Sequence, residues 1–234
     1  MRINKYIASA GIASRRKADE LVEQGKVKIN GLVLKELGYE VVEGDVVEVN
    51  GKRISNSEKL EYYLLHKPLG FVTTVSDEDG RPTVVDCMTE VTARVFPVGR
   101  LDYNTSGALI MTNDGDLTYR LTHPKHGIYK TYRALVKGEL SKEKVAKLRH
   151  GVDIGGYVTQ PAIVNIVKGD THSTVVEISI TEGKNRQVRK MFSAVGNPVQ
   201  ELERISIGNI RLGRLKYGTY RKLTKEEIDY LKSL

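Results

Sequence analysis

Residues 95–115 read VFPVGRLDYNTSGALIMTNDG, and the texture of this stretch decides the expected fold. Val95–Val98 and Ala108–Thr112 are short apolar runs. Between them lies a turn-rich segment, Gly99-Arg100-Leu101-Asp102-Tyr103-Asn104-Thr105-Ser106-Gly107, and Asn113-Asp114-Gly115 ends the second run as a hairpin-type turn. The same alternation of short strand and turn continues outward. Tyr62–Leu65 is stopped by Lys67-Pro68, and Tyr132–Val136 and Val175–Ile180 carry the β-branched and aromatic content of strands. Helices are expected at Lys142–Arg149, at Lys225–Leu231 and most clearly at Asn185–Val195. There Val188, Met191, Phe192 and Val195 make an i, i+3, i+4, i+7 stripe that Gly196 ends. Strands dominate without a regular βαβ alternation, so the expected class is α+β, built on a mixed, largely antiparallel sheet with flanking helices.

The N-terminal region has a different texture. Ser14 caps a helix whose Ala18, Leu21 and Val22 fall on one face, and Gly25 stops it. Val27 and Ile29 alternate with Lys26 and Lys28, and Asn30-Gly31 signals a two-residue hairpin. Val46, Val47 and Val49 form another strand before Asn50-Gly51. The polar run Lys52–Lys59 reads as a linker, dividing the chain into residues 1–51, 52–59 and 60–234.

Composition narrows the function classes. In 234 residues there is no apolar run near the ~18 a spanning helix needs. The charged start MRINKYIASAGIASRRK lacks a secretory signal's apolar stretch, and the single Cys87 excludes an internal disulfide. A cytoplasmic protein without membrane contact is expected. The net charge of +8 is uneven: residues 1–35 carry eight basic and three acidic side chains, residues 36–58 two and six, and residues 181–223 ten and three. Two basic clusters of this size suit a polyanion such as nucleic acid, although a solvated lysine-rich surface would have the same total.

Two segments could carry chemistry. In Gly99–Gly107, Arg100 and Asp102 stand two apart in a loop between strands, where reactive groups are commonly displayed. Taken alone, the loop reads as a turn in which Asp102 caps backbone N–H groups and Arg100 is solvated. In Glu182-Gly183-Lys184-Asn185-Arg186-Gln187-Val188-Arg189-Lys190-Met191-Phe192, Arg189 falls beside the apolar stripe and Arg186 nearly opposite it. Arg189 should therefore be partly buried and need an anionic partner, with Asp102 the attractive one, while Arg186 and Lys190 are left for phosphates. The five histidines and Cys87 show no metal-ligand spacing, and neither GxGxxG nor GxSxG occurs, so no metal and no cofactor is expected.

These motifs in this order resemble the bacterial RNA pseudouridine synthases of the RsuA/RluB branch. GRLDYNTSG, KTYRALV and EGKNRQVRKMF match that family's three principal motifs, with LLHKPLGFVTT, RVFPVGRLD and LIMTNDGDL as context. KYIASAGIASRRKADELVEQGKVKINGLV resembles the S4 RNA-binding domain that precedes the catalytic domain. The likeness runs nearly end to end; Ala108 and Lys184 stand where the family often has leucine and arginine. It implies isomerisation of uridine to pseudouridine in ribosomal RNA without a cofactor. Asp102 would be the essential carboxylate, acting as a nucleophile at C1′ or as a base on the 2′ proton. Either role needs the ionised form, which an adjacent cation favours, and Arg189 would be that cation. Tyr132 would stack on the uracil, its hydroxyl available to the C5 proton, and Arg100 would enter the RNA stack when the base is extruded.

The same resemblance implies that Arg15, Arg16 and Lys17 in the first turns after Ser14, with Lys26, Lys28, Arg186 and Lys190, meet the RNA backbone. Asn185-Arg186 looks more like the enzymes for large-subunit ribosomal RNA, so that substrate is expected, free or in an assembling particle, for a monomer. The alternatives are a small-subunit enzyme and a non-catalytic S4-type RNA-binding or ribosome-assembly factor. A hydrolase would need a second acid beside Asp102, and Asp114 and Asp116 sit in the expected hairpin turn.

Overall fold

A computed structural model of the chain describes residues 1–55 and 59–234. The chain divides into two compact units, Met1–Glu61 with Thr92–Arg94 and Asn113–Gly115, and the remainder.

In the first unit, α1 (Ile3–Ser9) and α2 (Arg15–Glu23) precede a four-stranded sheet of β1 (Val27–Ile29), β2 (Leu32–Val33), β3 (Val47–Val49) and β4 (Lys52–Ile54), ordered β2-β1-β3-β4. Ser14 caps α2 as expected, its side chain accepting the Lys17 N–H at 3.2 Å, and Ala18, Leu21 and Val22 are buried. Both Asn-Gly pairs make the hairpins their composition dictates: Asn30 and Gly31 have φ of 50° and 83°, Asn50 and Gly51 52° and 75°. The register pairs Val27 with Val49 and Ile29 with Val47, so alternate residues fill a small core against Ile3, Ile7 and Leu21. The second hairpin carries the chain into β4, so Lys52–Ile54 are sheet rather than linker. Residues 56–58 of the expected linker lie outside the described residues.

The second unit holds a nine-stranded sheet. Its elements are β5 (Tyr62–Lys67), β6 (Phe96–Pro97), β7 (Ser106–Thr112), α3 (Gly115–Thr122), β8 (Lys130–Lys137), α4 (Lys142–His150), β9 (Ile163–Gly169), β10 (Ser173–Ile180), α5 (Gln187–Ala194), β11 (Val199–Ile207), β12 (Ile210–Arg211), β13 (Tyr220–Lys222) and α6 (Lys225–Ser233). The order is β13-β5-β7-β11-β8-β10-β9, with β6 on β7 and β12 on β11. Every pairing is antiparallel except β7 with β11, where Ser106 faces Glu203 and Gly107 faces Arg204. One core lies under α4 and α5, where Val176, Ile178, Val188, Met191 and Phe192 meet. A second lies under α3 and α6, with Leu64, Ile110, Leu121 and Leu231. The class is the expected mixed, mostly antiparallel α+β fold.

Two local expectations change. Asn113-Asp114-Gly115 opens a helix instead of turning a hairpin, and Leu117 and Leu121, four apart, anchor α3 in the core. The Asn185–Val195 helix begins only at Gln187, because Arg186 adopts a left-handed conformation, φ 53° and ψ 32°. Among the described residues no helix is long and apolar enough to cross a membrane.

Candidate active site

Asp102 sits in the loop that leads into β7, and backbone pins hold that loop on two sides. Thr73 Oγ1 donates to the Leu101 carbonyl at 2.7 Å and accepts the Leu101 N–H at 3.2 Å. On the other side Lys67, the last residue of β5, is fully buried and donates to the carbonyls of Pro68, Asp102 and Thr105 at 2.9, 3.2 and 3.0 Å. Three acceptors use all three hydrogens of an ammonium group. Burial above all, with a smaller push from the charge of Arg204 and against the upward pull of Cys87 and Asp102, lowers the Lys67 pKa to about 8. The Thr105 N–H closes the turn onto the Asp102 carbonyl at 3.0 Å.

The residues before α5 grip the same loop. Glu182 ties its own segment down by accepting from Tyr157 Oη, the Gln160 N–H and Gln187 Nε2. Arg186, turned out by its left-handed backbone, donates from Nη1 to Asn104 Oδ1 at 3.1 Å. Arg189, half-buried as expected, donates from Nη2 to the Asn104 carbonyl at 2.6 Å and from Nη1 to the Val199 carbonyl at 3.4 Å, leaving Nε buried without a partner. Burial and the charge of Arg186 lower the Arg189 pKa, and Asp102 opposes them. The expected Arg189–Asp102 contact is thus indirect: Asp102 acts through its field, and the hydrogen bond goes to Asn104, two residues on. Arg186 departs from its expected position too, since it precedes the helix and holds Asn104.

A cavity of about 340 Å³ opens beside this loop, lined by Arg100, Asp102, Lys130, Tyr132, Glu182 and Arg204 among others. That size falls within the range of small-molecule sites. Tyr132 is half-buried on β8 and Arg100 is exposed at the rim. Of the residues singled out in the sequence, Asp102, Tyr132, Arg100 and Arg186 line one cavity and Arg189 does not; Lys67, Thr73, Asn104, Lys130, Glu182 and Arg204 were not singled out. The lysine in the apolar run ending at Pro68 was the one legible sign among these, since strand lysines are rarely buried without a task. Asp114 and Asp116 lie at the start of α3 and do not line this cavity. In the first unit Arg15, Arg16, Lys17 and Lys26 are exposed and Lys28 is partly so, with Lys17 paired to Glu20 at 2.6 Å; Lys190 is exposed on α5.

Residues 61–194 match the family described as RNA pseudouridylate synthase, and residues 1–47 match the S4 domain. Among curated relatives, the ribosomal large subunit pseudouridine synthase B of Bacillus subtilis (strain 168) is 43% identical over all of this chain and 96% of its own length. An uncharacterized RNA pseudouridine synthase of Aquifex aeolicus (strain VF5) is 41% identical over 99% of this chain and 93% of its own. A crystal structure of a pseudouridylate synthase superposes with a TM-score of 0.70 at 32% identity, covering 99% of both chains. A full-length likeness in sequence and fold, around a cavity built on Asp102 and Tyr132, places this chain in the RNA pseudouridylate synthase family, with an S4 domain at its N-terminus.

Proposed function

We propose that this chain isomerises one uridine of large-subunit ribosomal RNA to pseudouridine, with Asp102 as the essential carboxylate. The observation that carries the reading is the effort spent on one loop: Lys67, Thr73 and Arg189 bond to its backbone and Arg186 to its Asn104 side chain, while Asp102 lines the cavity. Holding a reacting group in place this way supplies much of an enzyme's rate. The large-subunit target is supported by Asn185-Arg186 and by the 43% identical relative of that name; a small-subunit target is the alternative.

The target nucleotide leaves the RNA stack, at a cost of roughly a few kcal/mol, and enters the cavity. Arg100, exposed at its rim, fills the space left in the stack, and Tyr132 lies against the base. Asp102 attacks C1′ or removes the 2′ proton; the N1–C1′ bond breaks, the base turns, and C5 joins C1′. Arg189 keeps Asn104, and with it the Asp102 loop, in register. The first unit, with β4 as its last strand, forms the RNA-binding domain, where Arg15, Arg16, Lys17, Lys26 and Lys28 meet phosphates, and the second unit forms the catalytic domain, where Arg186 and Lys190 do the same. The chain works as a cytoplasmic monomer on free RNA or on an assembling ribosomal particle.

Asp102→Asn should bind RNA as tightly as the parent and make no pseudouridine, read by chemical mapping of the RNA. Full activity in this variant would overturn the assignment. Mapping both ribosomal RNAs in cells lacking the protein should show one missing modification in the large-subunit RNA.

A further inference from the structure

The wall of the Asp102 cavity carries more positive charge than the roles above use. Arg204 on β11 is only 3% exposed. Its Nε donates to the Ala108 carbonyl at 2.7 Å, while its Nη2 is buried with no hydrogen-bond partner. Lys130, the first residue of β8, is half-buried and donates to the Thr181 carbonyl at 3.4 Å. Lys130 and Tyr132 are two apart and so lie on one face of the strand. Arg204 stands opposite Tyr132 on the neighbouring strand, close enough for the two side chains to share that face.

Both cations line the cavity, and among the described residues neither forms an ion pair. Burial, then the charge of Arg204, hold the Lys130 ammonium below the usual lysine value, with no carboxylate pulling it back. Glu182, the other carboxylate of the cavity, is taken by Tyr157, Gln160 and Gln187. Two uncompensated cations beside each other are costly unless an anion visits them.

The reaction makes one. When the N1–C1′ bond breaks, its electron pair stays with N1, while Asp102 either forms a bond to C1′ or takes the 2′ proton. By either route the detached uracil carries a negative charge, spread over its ring nitrogens and its two carbonyl oxygens. The charge disappears when C5 bonds to C1′ as Asp102 leaves C1′ or returns the 2′ proton; the C5 proton is then lost while N1 takes one up, so no oxidant or reductant is needed. We propose that Lys130 and Arg204 form an anion hole for this detached base, their N–H groups holding a uracil carbonyl oxygen while Tyr132 packs on the ring. Fixed donors aimed at charge that exists only during the reaction stabilise the transition state more than the bound substrate. The inference rests on the isomerase reading and extends it to the leaving group.

The test uses the full chain in single-turnover reactions with large-subunit ribosomal RNA transcripts made with uridine or with 5-fluorouridine. Fluorine withdraws electrons from the ring and makes the base a better leaving anion, so it lessens the need for the hole. Consumption of the target nucleoside is followed by mass spectrometry of nuclease digests. Lys130→Met should slow uridine consumption about 100-fold, with RNA affinity within about twofold of the parent and most of the rate restored in Lys130→Arg. On the fluorinated transcript the same variant should lose only about tenfold or less. Lys130→Gln, which keeps a donor without the charge, carries the same comparison if the methionine variant unfolds early in a thermal melt. An equal slowing on both transcripts, or a defect wholly in RNA affinity, would overturn the anion hole and leave the isomerase reading standing. A parent protein that consumes no uridine would overturn both.

Discussion

Lys67 is the residue whose titration should be visible in the enzyme's behaviour. Only the ammonium form supplies a hydrogen to each of the Pro68, Asp102 and Thr105 carbonyls, and its folded-state pKa is about 8. Single-turnover rates should therefore fall as pH rises through about 8, as the grip on the Asp102 loop loosens. Stability moves the other way. Because the folded pKa lies below the ordinary lysine value of 10.5, the unfolded chain binds more protons between pH 8 and 10.5, and unfolding free energy rises with pH across that window. Lys67→Met should remove this rise from a urea-unfolding series and should also lower activity. A rate that stays flat to pH 9.5 would exclude the grip. Asp102 and Tyr132 were legible in the sequence because their motifs were. What Lys67 does was not, because two of its three acceptors, the Asp102 and Thr105 carbonyls, lie 35 and 38 residues away along the chain.

The contact between β7 and β11 sets the limits at the scale of elements. Gly107 has φ of 115°, and a Cβ there would lie 2.3 Å from the Arg204 carbonyl oxygen and 2.5 Å from its nitrogen. Backbone, unlike a side-chain tip, has no way to retreat. Gly107→Ala should cost about 3 kcal/mol or more in denaturant unfolding and abolish activity; a stable, active alanine variant would contradict the close parallel pairing. Elements fixed by local rules were readable: the Ser14 cap, the Asn30-Gly31 hairpin, and the apolar stripe of α5, whereas the strand after Asn50-Gly51 was read as linker. Those decided by tertiary context were not. Asn113-Asp114-Gly115 has the composition of a hairpin turn, and only the fit of Leu117 and Leu121 into the core makes it the entry to α3. Arg186 has no sequence mark of its left-handed backbone, and its bond to Asn104 spans 82 residues.

For the whole molecule, the even-handed total of +8 conceals two basic regions, and each has its own measurement. Replacing Arg15, Arg16 and Lys17 together by alanine should weaken RNA binding and flatten its salt dependence, by roughly 0.7–0.9 in log–log slope for each phosphate that is no longer neutralised. The rate on fully bound RNA should not change. If the rate falls and the affinity holds, the division of labour between the first and second units is wrong.

Strand order also governs when activity can begin. Successive pieces of sheet, Tyr62–Thr112 and Lys130–Ile180, end in β7 and β8, and these two strands never pair with each other. The strand that joins them, β11, is made later than both and arrives last but for the short strands β12 and β13. A ribosome that has synthesised only the first 198 residues therefore leaves the β7 and β8 edges unjoined, with Asp102 in the loop before one, Tyr132 on the other and Arg204 not yet made. A chain that ends before β11 therefore has no strand to join the two pieces, and the edges that β11 later covers stay open to aggregation until it emerges.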